Sequence, residues 1–212
     1  MKLIALSGKA RSGKDTVGLI LKLADAWEQS DYLKVRYNNK VEYIRKCLLT
    51  DSKVGESIST YRTIAFADKL KYVVALIFNI EDPELLWDED FKNSENSLKL
   101  TSKDGHIYTY REILQKFGTE AGRAIHHDLW INSLFAGLDK YKNYIITDVR
   151  FINEAEACLK NKATLIRITR NVNQMDHTSE TELDNYESFD YIIENNGSLE
   201  DLINKVLQLN LI

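Results

Sequence analysis

A short apolar run, Leu3-Ile4-Ala5-Leu6, leads into the loop Gly8-Lys9-Ala10-Arg11-Ser12-Gly13-Lys14-Asp15-Thr16, and a helical pattern starts inside that loop. Two glycines five positions apart, with a lysine directly after the second, make the spacing of a phosphate-binding loop. A glycine turn between a strand and a helix points several backbone N–H groups inward, and the helix N-terminus adds partial positive charge. Lys14 then reaches the β- and γ-phosphates of a nucleotide. Downstream, Val17, Ile20, Leu21, Ala24 and Trp27 recur at helix spacing, so the loop sits at a strand-to-helix junction. That junction constrains the fold to parallel α/β architecture. The position after the lysine, usually Ser or Thr for a magnesium ion, is Asp15, with Thr16 next.

Four further apolar runs follow: Thr63–Ala67, Tyr144–Thr147, Thr164–Thr169 and Tyr191–Ile193. The helical patterns between them are Lys69–Phe78, Tyr110–Arg123, Leu129–Leu138, Asn153–Lys160 and Leu199–Leu209, after the first helix at Lys14–Gln29. Alternation of this kind predicts a parallel sheet covered on both faces, with ligands beyond the carboxyl ends of its strands. Thr109 with Glu112 reads as a capping box, and Ser198 with Asp201 as a weaker cap. Three stretches break the alternation. Residues 31–60 read as an extra helix or excursion. Residues 81–108 include Ser102-Lys103-Asp104-Gly105 as the turn of a small hairpin. Residues 170–187 are polar and read as a lid-like segment, with His177, Ser179 and Glu180 as loop or nucleotide contacts.

At 212 residues the chain is read as one domain, 1–212, carrying these insertions. Its 28 basic and 32 acidic residues give a formal charge of −4 with no long basic run, so a protein that coats nucleic acid is not expected. Two distant cysteines, Cys47 and Cys158, exclude a cysteine metal cluster and argue against a disulfide framework. With no signal-peptide pattern and no apolar run of membrane-spanning length, the expectation is a cytoplasmic protein without a membrane partner. Monomer and homodimer both remain open.

Other constellations carry chemistry. Tyr144–Thr147 runs into Asp148-Val149-Arg150: a carboxylate at a strand end holds magnesium through water or orients an incoming group, and Arg150 offers paired donors to a phosphate. The structural alternatives are a helix cap and a surface ion pair. Gly118 and Gly122 stand where a helix ought to continue, at a cost of roughly 1 kcal/mol each, which implies a break or a close backbone approach. Around them Gln115, Thr119 and Arg123 fall near one face, an amide, a hydroxyl and a guanidinium that suit a nucleoside monophosphate. Asp68 reads as a helix N-cap or a substrate contact, with Lys69 beside it. Trp130 reads as a packed core ring or a base-stacking one. Arg170 ends the fourth strand, placed to stabilise charge on a transferring phosphoryl group. The turn Asn195-Asn196-Gly197-Ser198 follows the fifth strand, where backbone can frame an adenine ring.

Together these segments resemble the phage-type deoxynucleoside monophosphate kinases, a branch of the P-loop kinases. The resemblance is carried by Ser12-Gly13-Lys14-Asp15-Thr16, Phe66-Ala67-Asp68-Lys69-Leu70-Lys71, Leu114–Glu120 continuing to Arg123, Asp148-Val149-Arg150-Phe151, His177-Thr178-Ser179-Glu180 and Asn195-Asn196-Gly197. It implies a P-loop NTPase fold with the loop strand at the centre of a five-stranded parallel sheet. It also implies phosphoryl transfer from ATP, with Mg2+, to a deoxynucleoside monophosphate, in the host cytoplasm if the chain is of phage origin. Asp after the loop lysine is a habit of that family. The implied donor site is Gly8, Ala10, Arg11, Ser12, Gly13, Lys14, Asp15 and Thr16, with Asn196 and Gly197 at the base. Asp15 and Asp148 organise the metal. Asp68, Lys69, Gln115, Thr119, Arg123, Trp130 and Arg150 are the acceptor-side candidates. Lys14, Arg11, Arg150 and Arg170 are the catalytic cations. Rival acceptors are phosphomevalonate or dephospho-coenzyme A, and a non-catalytic nucleotide switch is the reading from another class.

Overall fold

In the computed structural model, β1 (Leu3–Ser7) is buried along its whole length, which fits a strand with neighbours on both sides and helices over both faces. The structure describes residues 1–50, 55–171 and 181–212. The sheet contains β1, β2 (Tyr61–Ile64), β3 (Asn143–Val149), β4 (Thr164–Thr169) and β5 (Tyr191–Glu194). Their order is β2-β3-β1-β4-β5, every pair is parallel, and β1 is central, as the resemblance implied.

The chain divides into two compact units, Met1–Ala65 with Asp139–Ile212, and Phe66–Leu138. In the first unit, α1 (Lys14–Gln29) follows the glycine loop directly. Its buried residues Val17, Ile20, Leu21 and Ala24 pack with Ile4 and Leu6 of β1 and Ile145 of β3. The stretch 31–60 contains α2 (Asp31–Arg36) and α3 (Lys40–Thr50), whose Leu33, Tyr43, Ile44 and Cys47 join the same core. That excursion therefore contributes to the hydrophobic core rather than forming a solvated loop. α9 (Ile152–Lys160) packs against β1 and β4, and α10 (Leu199–Gln208) against α1 and α3. The Ser198–Asp201 capping box at the start of α10 is present, and its Ser198 hydroxyl and N–H hold the Asp201 carboxyl below its ordinary range.

The second unit holds α4 (Asp68–Ile77), a 3-10 turn at Pro83–Trp87, α5 (Glu89–Asn93), α6 (Tyr110–Lys116), α7 (Gly122–Ile125) and α8 (Leu129–Ala136). Its core gathers Leu70, Val74, Phe78, Leu86, Tyr110 and Ile113. The expected hairpin is there: Thr101 bridges Ile107 and Glu95 bridges Thr109, both antiparallel. Buried Asn96 holds it together, donating to Leu100 O and Tyr108 O and accepting from Leu100 N–H.

Two expectations need correction. The second strand starts at Tyr61, not Thr63, because it lies at the sheet edge, where Arg62 and Thr63 face solvent and break the apolar signal. From Phe66 onward the apolar run belongs to the other unit, where Phe66 packs edge-on to Phe135. Asp68 is not an N-cap: Ala67 holds that position in helical backbone, with no side-chain cap, and Asp68 opens the first turn of α4. The lid-like segment lies largely outside the described residues, as do His177, Ser179 and Glu180. No described helix is long and apolar enough to cross a membrane.

Buried Asp25 of α1 fixes the entry to β2 by accepting from the Ser59 hydroxyl at 3.0 Å and the Thr60 N–H at 2.6 Å. Substituting Ala strands both donors beside the core, which costs about 3 kcal/mol. Urea denaturation of Asp25→Ala should show that loss, and Asp25→Asn, which keeps an acceptor, should lose clearly less. Equal stability of Asp25→Ala and the parent chain would refute the role.

Candidate active site

The loop between β1 and α1 is built on two left-handed residues, Arg11 at φ 62° and Gly13 at φ 97°. Gly13 tolerates this conformation, whereas at Arg11 it is sparsely populated and needs support from its surroundings. The Ser12 N–H donates to Lys9 O at 3.1 Å, closing a tight turn, and the Val17 N–H donates to Gly13 O at 2.9 Å, starting α1. No side chain caps this helix. Its first N–H groups are left for a ligand, with roughly half a positive charge behind them.

The side chains around the turn also fit a polyanion. Lys14 is only 8% exposed and has no ion-pair partner among the described residues. A lysine this buried, with no described counter-charge beside it, makes the loop a place where an anion is favoured. The Ser12 hydroxyl is buried and also lacks a hydrogen-bond partner among the described residues. Arg11 and Asp15 are exposed, while Gly8, Ala10 and Thr16 are half-buried.

Neighbouring strands fix what surrounds the loop. Arg167 on β4 donates from Nη1 to the buried Ser7 hydroxyl at 2.9 Å and from Nη2 to Asp184 Oδ1 at 2.7 Å. Asp184 Oδ2 in turn pairs with Lys9 of the loop at 2.6 Å. β3 carries a bulge beside the loop strand: Ala5 pairs with Ile146 but Ser7 with Val149, so Thr147 and Asp148 together oppose Leu6. A bulge at a strand end re-aims the side chains it carries, and here it places half-buried Asp148 at the sheet's carboxyl edge. Just beyond, the Arg150 and Phe151 N–H groups both donate to Glu154 Oε2, at 2.8 and 3.2 Å. Glu154 is 6% exposed, and its buried carboxylate fixes the turn that carries Arg150. Arg170 is exposed and unpaired among the described residues. Asn196 and Gly197 are exposed; Asn196 Oδ1 accepts from the Asn171 N–H at 2.9 Å, and a Cβ at Gly197 would lie 2.7 Å from the capping carboxylate of Asp201.

The remaining candidates lie in the second unit. The run from Tyr110 to Ile125 continues through the glycines, but as a wider π-helical turn over Phe117–Ala121 between α6 and α7. Such turns insert a residue into the helix and often sit at functional sites. The close approach implied by the glycines is present at both: a Cβ on Gly118 would be 2.9 Å from Leu70, and one on Gly122 2.7 Å from the Trp130 ring. Trp130 also donates its indole N–H to Gly118 O at 2.9 Å, so its polar edge is used on the π turn. Gln115 and Thr119 are exposed and Arg123 half-buried, and the Thr119 hydroxyl donates to Gln115 O. Lys69 donates to Ser133 O near the end of α8.

Several of these features were beyond sequence reading: the Arg167–Asp184–Lys9 network, the bulge at Thr147–Asp148, the buried Glu154 and the indole lock on the π turn. Only the glycine pair signalled the last of them.

A central parallel strand, a glycine loop and an uncapped helix carrying a buried lysine define the P-loop kinase class. The family profile described as deoxynucleotide monophosphate kinase matches residues 60–206, and the chain belongs to that family. Similar proteins include the deoxynucleotide monophosphate kinase of Escherichia phage RB69, 26% identical over 97% of this chain and 98% of the relative. The deoxynucleotide monophosphate kinase of Enterobacteria phage T4 is 28% identical over 97% of each. The deoxynucleoside-5'-monophosphate kinase of Escherichia phage T5 is 29% identical over 73% of this chain and 70% of its own. The profile match begins after the phosphate loop, so loop geometry and family membership rest on different residues.

Trp130→Phe keeps a ring against Gly122 and removes the donor to Gly118 O. The variant should lose about 1–2 kcal/mol of stability in chemical denaturation. An unchanged midpoint would mean that the indole bond does not hold the π turn.

Proposed function

We propose that this chain transfers the γ-phosphoryl group of ATP to a deoxynucleoside monophosphate, releasing ADP and a deoxynucleoside diphosphate, and that its two units act as one kinase domain. The observation that carries this reading is the nearly buried Lys14, without an ion-pair partner among the described residues, at an uncapped helix N-terminus, in a member of the deoxynucleotide monophosphate kinase family. Relatives named for that activity in phages RB69 and T4 span nearly the whole chain. A viral origin, with action in the host cytoplasm, accords with those relatives.

Phosphoryl transfer asks the protein for in-line alignment and for neutralised charge on the transferring oxygens. The donor phosphates lie against the backbone from Gly8 to Thr16, with Lys14 along the β- and γ-groups and the Thr16 hydroxyl at the α-phosphate. Asn196 and Gly197 border the base. Asp15 and Asp148 are hard oxygen donors suited to Mg2+, which is commonly held by one or two carboxylates together with substrate phosphates. Bound there, the metal would neutralise developing charge on phosphate oxygens. Arg11 and Arg170, exposed and unpaired among the described residues, balance charge on the transferring group. Arg150, on the turn fixed by Glu154, is the acceptor-phosphate candidate of the first unit, and Arg123, beyond the π turn, that of the second. Gln115, Thr119 and Asp68 read the nucleoside, while Lys69 and Trp130 shape that region through α8 and the π turn.

The test is ADP release with ATP, Mg2+ and a panel of deoxynucleoside monophosphates, with phosphomevalonate as counter-substrate. Turnover should be stimulated by at least one deoxynucleotide, and stimulation by the counter-substrate alone would overturn the assignment. Lys14→Met should lower kcat by roughly 10²–10³-fold or more. Because it removes an uncompensated buried charge, it should leave the ligand-free protein at least as stable. A destabilised Lys14→Met would show that the lysine has a structural counter-charge.

Arg123→Ala should raise KM for the deoxynucleotide several-fold more than KM for ATP in the same assay. Equal increases in both would remove Arg123 from the acceptor side.

A further inference from the structure

One side chain joins the tip of β5 to the phosphate loop across 183 residues of sequence. The Asn195 amide donates from Nδ2 to Ser12 O at 2.8 Å, while its backbone N–H donates to Thr169 O at 2.8 Å. Asn195 is 8% exposed, so this contact is made out of water. A backbone carbonyl only accepts, so the amide atom facing Ser12 must be the nitrogen, which settles the side chain's orientation. A Cβ built on Gly13 would lie 2.4 Å from that nitrogen. The amide therefore fills the space that a side chain at Gly13 would need.

The geometry of a trans peptide gives this bond a consequence. Its C=O and N–H point in opposite directions. With the Ser12 carbonyl held toward Asn195, the Gly13 N–H is turned away from it. Gly13 has φ 97° and stands at the N-cap of α1, directly before Lys14. The pairing of Asn195 with Thr169 uses backbone alone and survives any side-chain substitution. The capping box that follows belongs to Ser198 and Asp201. Among the described residues, the one hydrogen bond of the Asn195 side chain goes to the phosphate loop.

We infer that Asn195 is a positioning residue for the donor site: by holding the Ser12–Gly13 peptide it presents the Gly13 N–H to the donor phosphates. The inference rests on the proposed reading of the loop as the ATP site. It assigns the last residue before the Asn196-Gly197 turn to the phosphates rather than to the base. Without the amide, the peptide is free to rotate, and a donor aimed in advance must be ordered by the ligand.

The test pairs calorimetric binding of the non-hydrolysable analogue AMP-PNP with Mg2+, without acceptor, with steady-state KM values for ATP and a deoxynucleotide. Asn195→Ala deletes the donor. Asn195→Asp keeps the shape and puts a carboxylate oxygen against the Ser12 carbonyl. AMP-PNP affinity should fall tenfold or more in Asn195→Ala and further in Asn195→Asp, while KM for the deoxynucleotide stays within twofold. Asp25→Ala, which loosens the entry to β2 and touches no residue of the loop or of the Asn195–Ser198 turn, should lower the melting temperature and leave AMP-PNP affinity unchanged. AMP-PNP binding within twofold of the parent in the Ala variant overturns the inference. So do parallel increases in both KM values, which a purely structural role would give. If Asn195→Asp does not fold, Asn195→Ala decides. A parent protein that binds AMP-PNP but phosphorylates no deoxynucleotide contradicts the proposed function alone, and the clamp is then judged on binding.

Discussion

Lys14 is a cation that the folded chain holds nearly out of water with no described carboxylate to meet it. Such a group is a net burden on the ligand-free protein, because desolvation of an ammonium outweighs any local gain without a partner. The fold carries it because the elements on either side are among the most completely buried in the molecule. Every residue of β1 is buried, and Val17, Ile20 and Leu21 of α1 sit in the same core. The stability cost is thus concentrated where an anionic ligand would relieve it, and the hydrophobic layer beneath supplies the margin.

An electrostatic site works in proportion to how firmly its dipoles are fixed before the ligand arrives. Around this loop, fixation comes from polar groups placed at strand ends. Arg167 reaches the Ser7 hydroxyl, and through Asp184 it reaches Lys9. Glu154, buried at the start of α9, gathers two consecutive N–H groups at Arg150 and Phe151. Each of these is a charge-assisted bond, about twice as strong as a neutral one. They hold the chain ends that leave β1, β3 and β4 on the carboxyl side of the sheet, where an open parallel sheet binds its ligands.

What was legible in the sequence follows the range of the interactions involved. The helix at Lys14–Gln29 and the Thr109–Glu112 and Ser198–Asp201 capping boxes are local patterns, and the structure reproduces them. The phosphate loop is local too. β2 starts two residues before the expected run because it lies at the sheet edge, where Arg62 and Thr63, on opposite faces, are both exposed and interrupt the apolar signal. The glycines at 118 and 122 announced a departure from a regular helix. That it is a π turn, secured by the indole N–H of Trp130, depends on a contact twelve residues away that no spacing rule encodes. Asp148 was read from its place at a strand end, but the bulge that aims it is a property of the pairing between β1 and β3. Asn195 is the limiting case, since its partner lies at the other end of the chain.

Asp15 is the one loop residue whose charge opposes the proposed ligand, and its location explains how the site tolerates it. Two like charges 4 Å apart repel by about 1 kcal/mol in water and about 4 kcal/mol at the effective dielectric near a protein surface. Asp15 is exposed, whereas Lys14 beside it is buried. The unfavourable charge is therefore in the screened medium and the favourable one in the poorly screened medium, so the same separation counts for less in the first case than in the second. A single cation at the loop, such as the exposed Arg11, is enough to offset the residual repulsion. On this view the burial of Lys14 and the exposure of Asp15 are complementary: exchanging their environments would turn a phosphate-attracting loop into a phosphate-repelling one without altering its net charge.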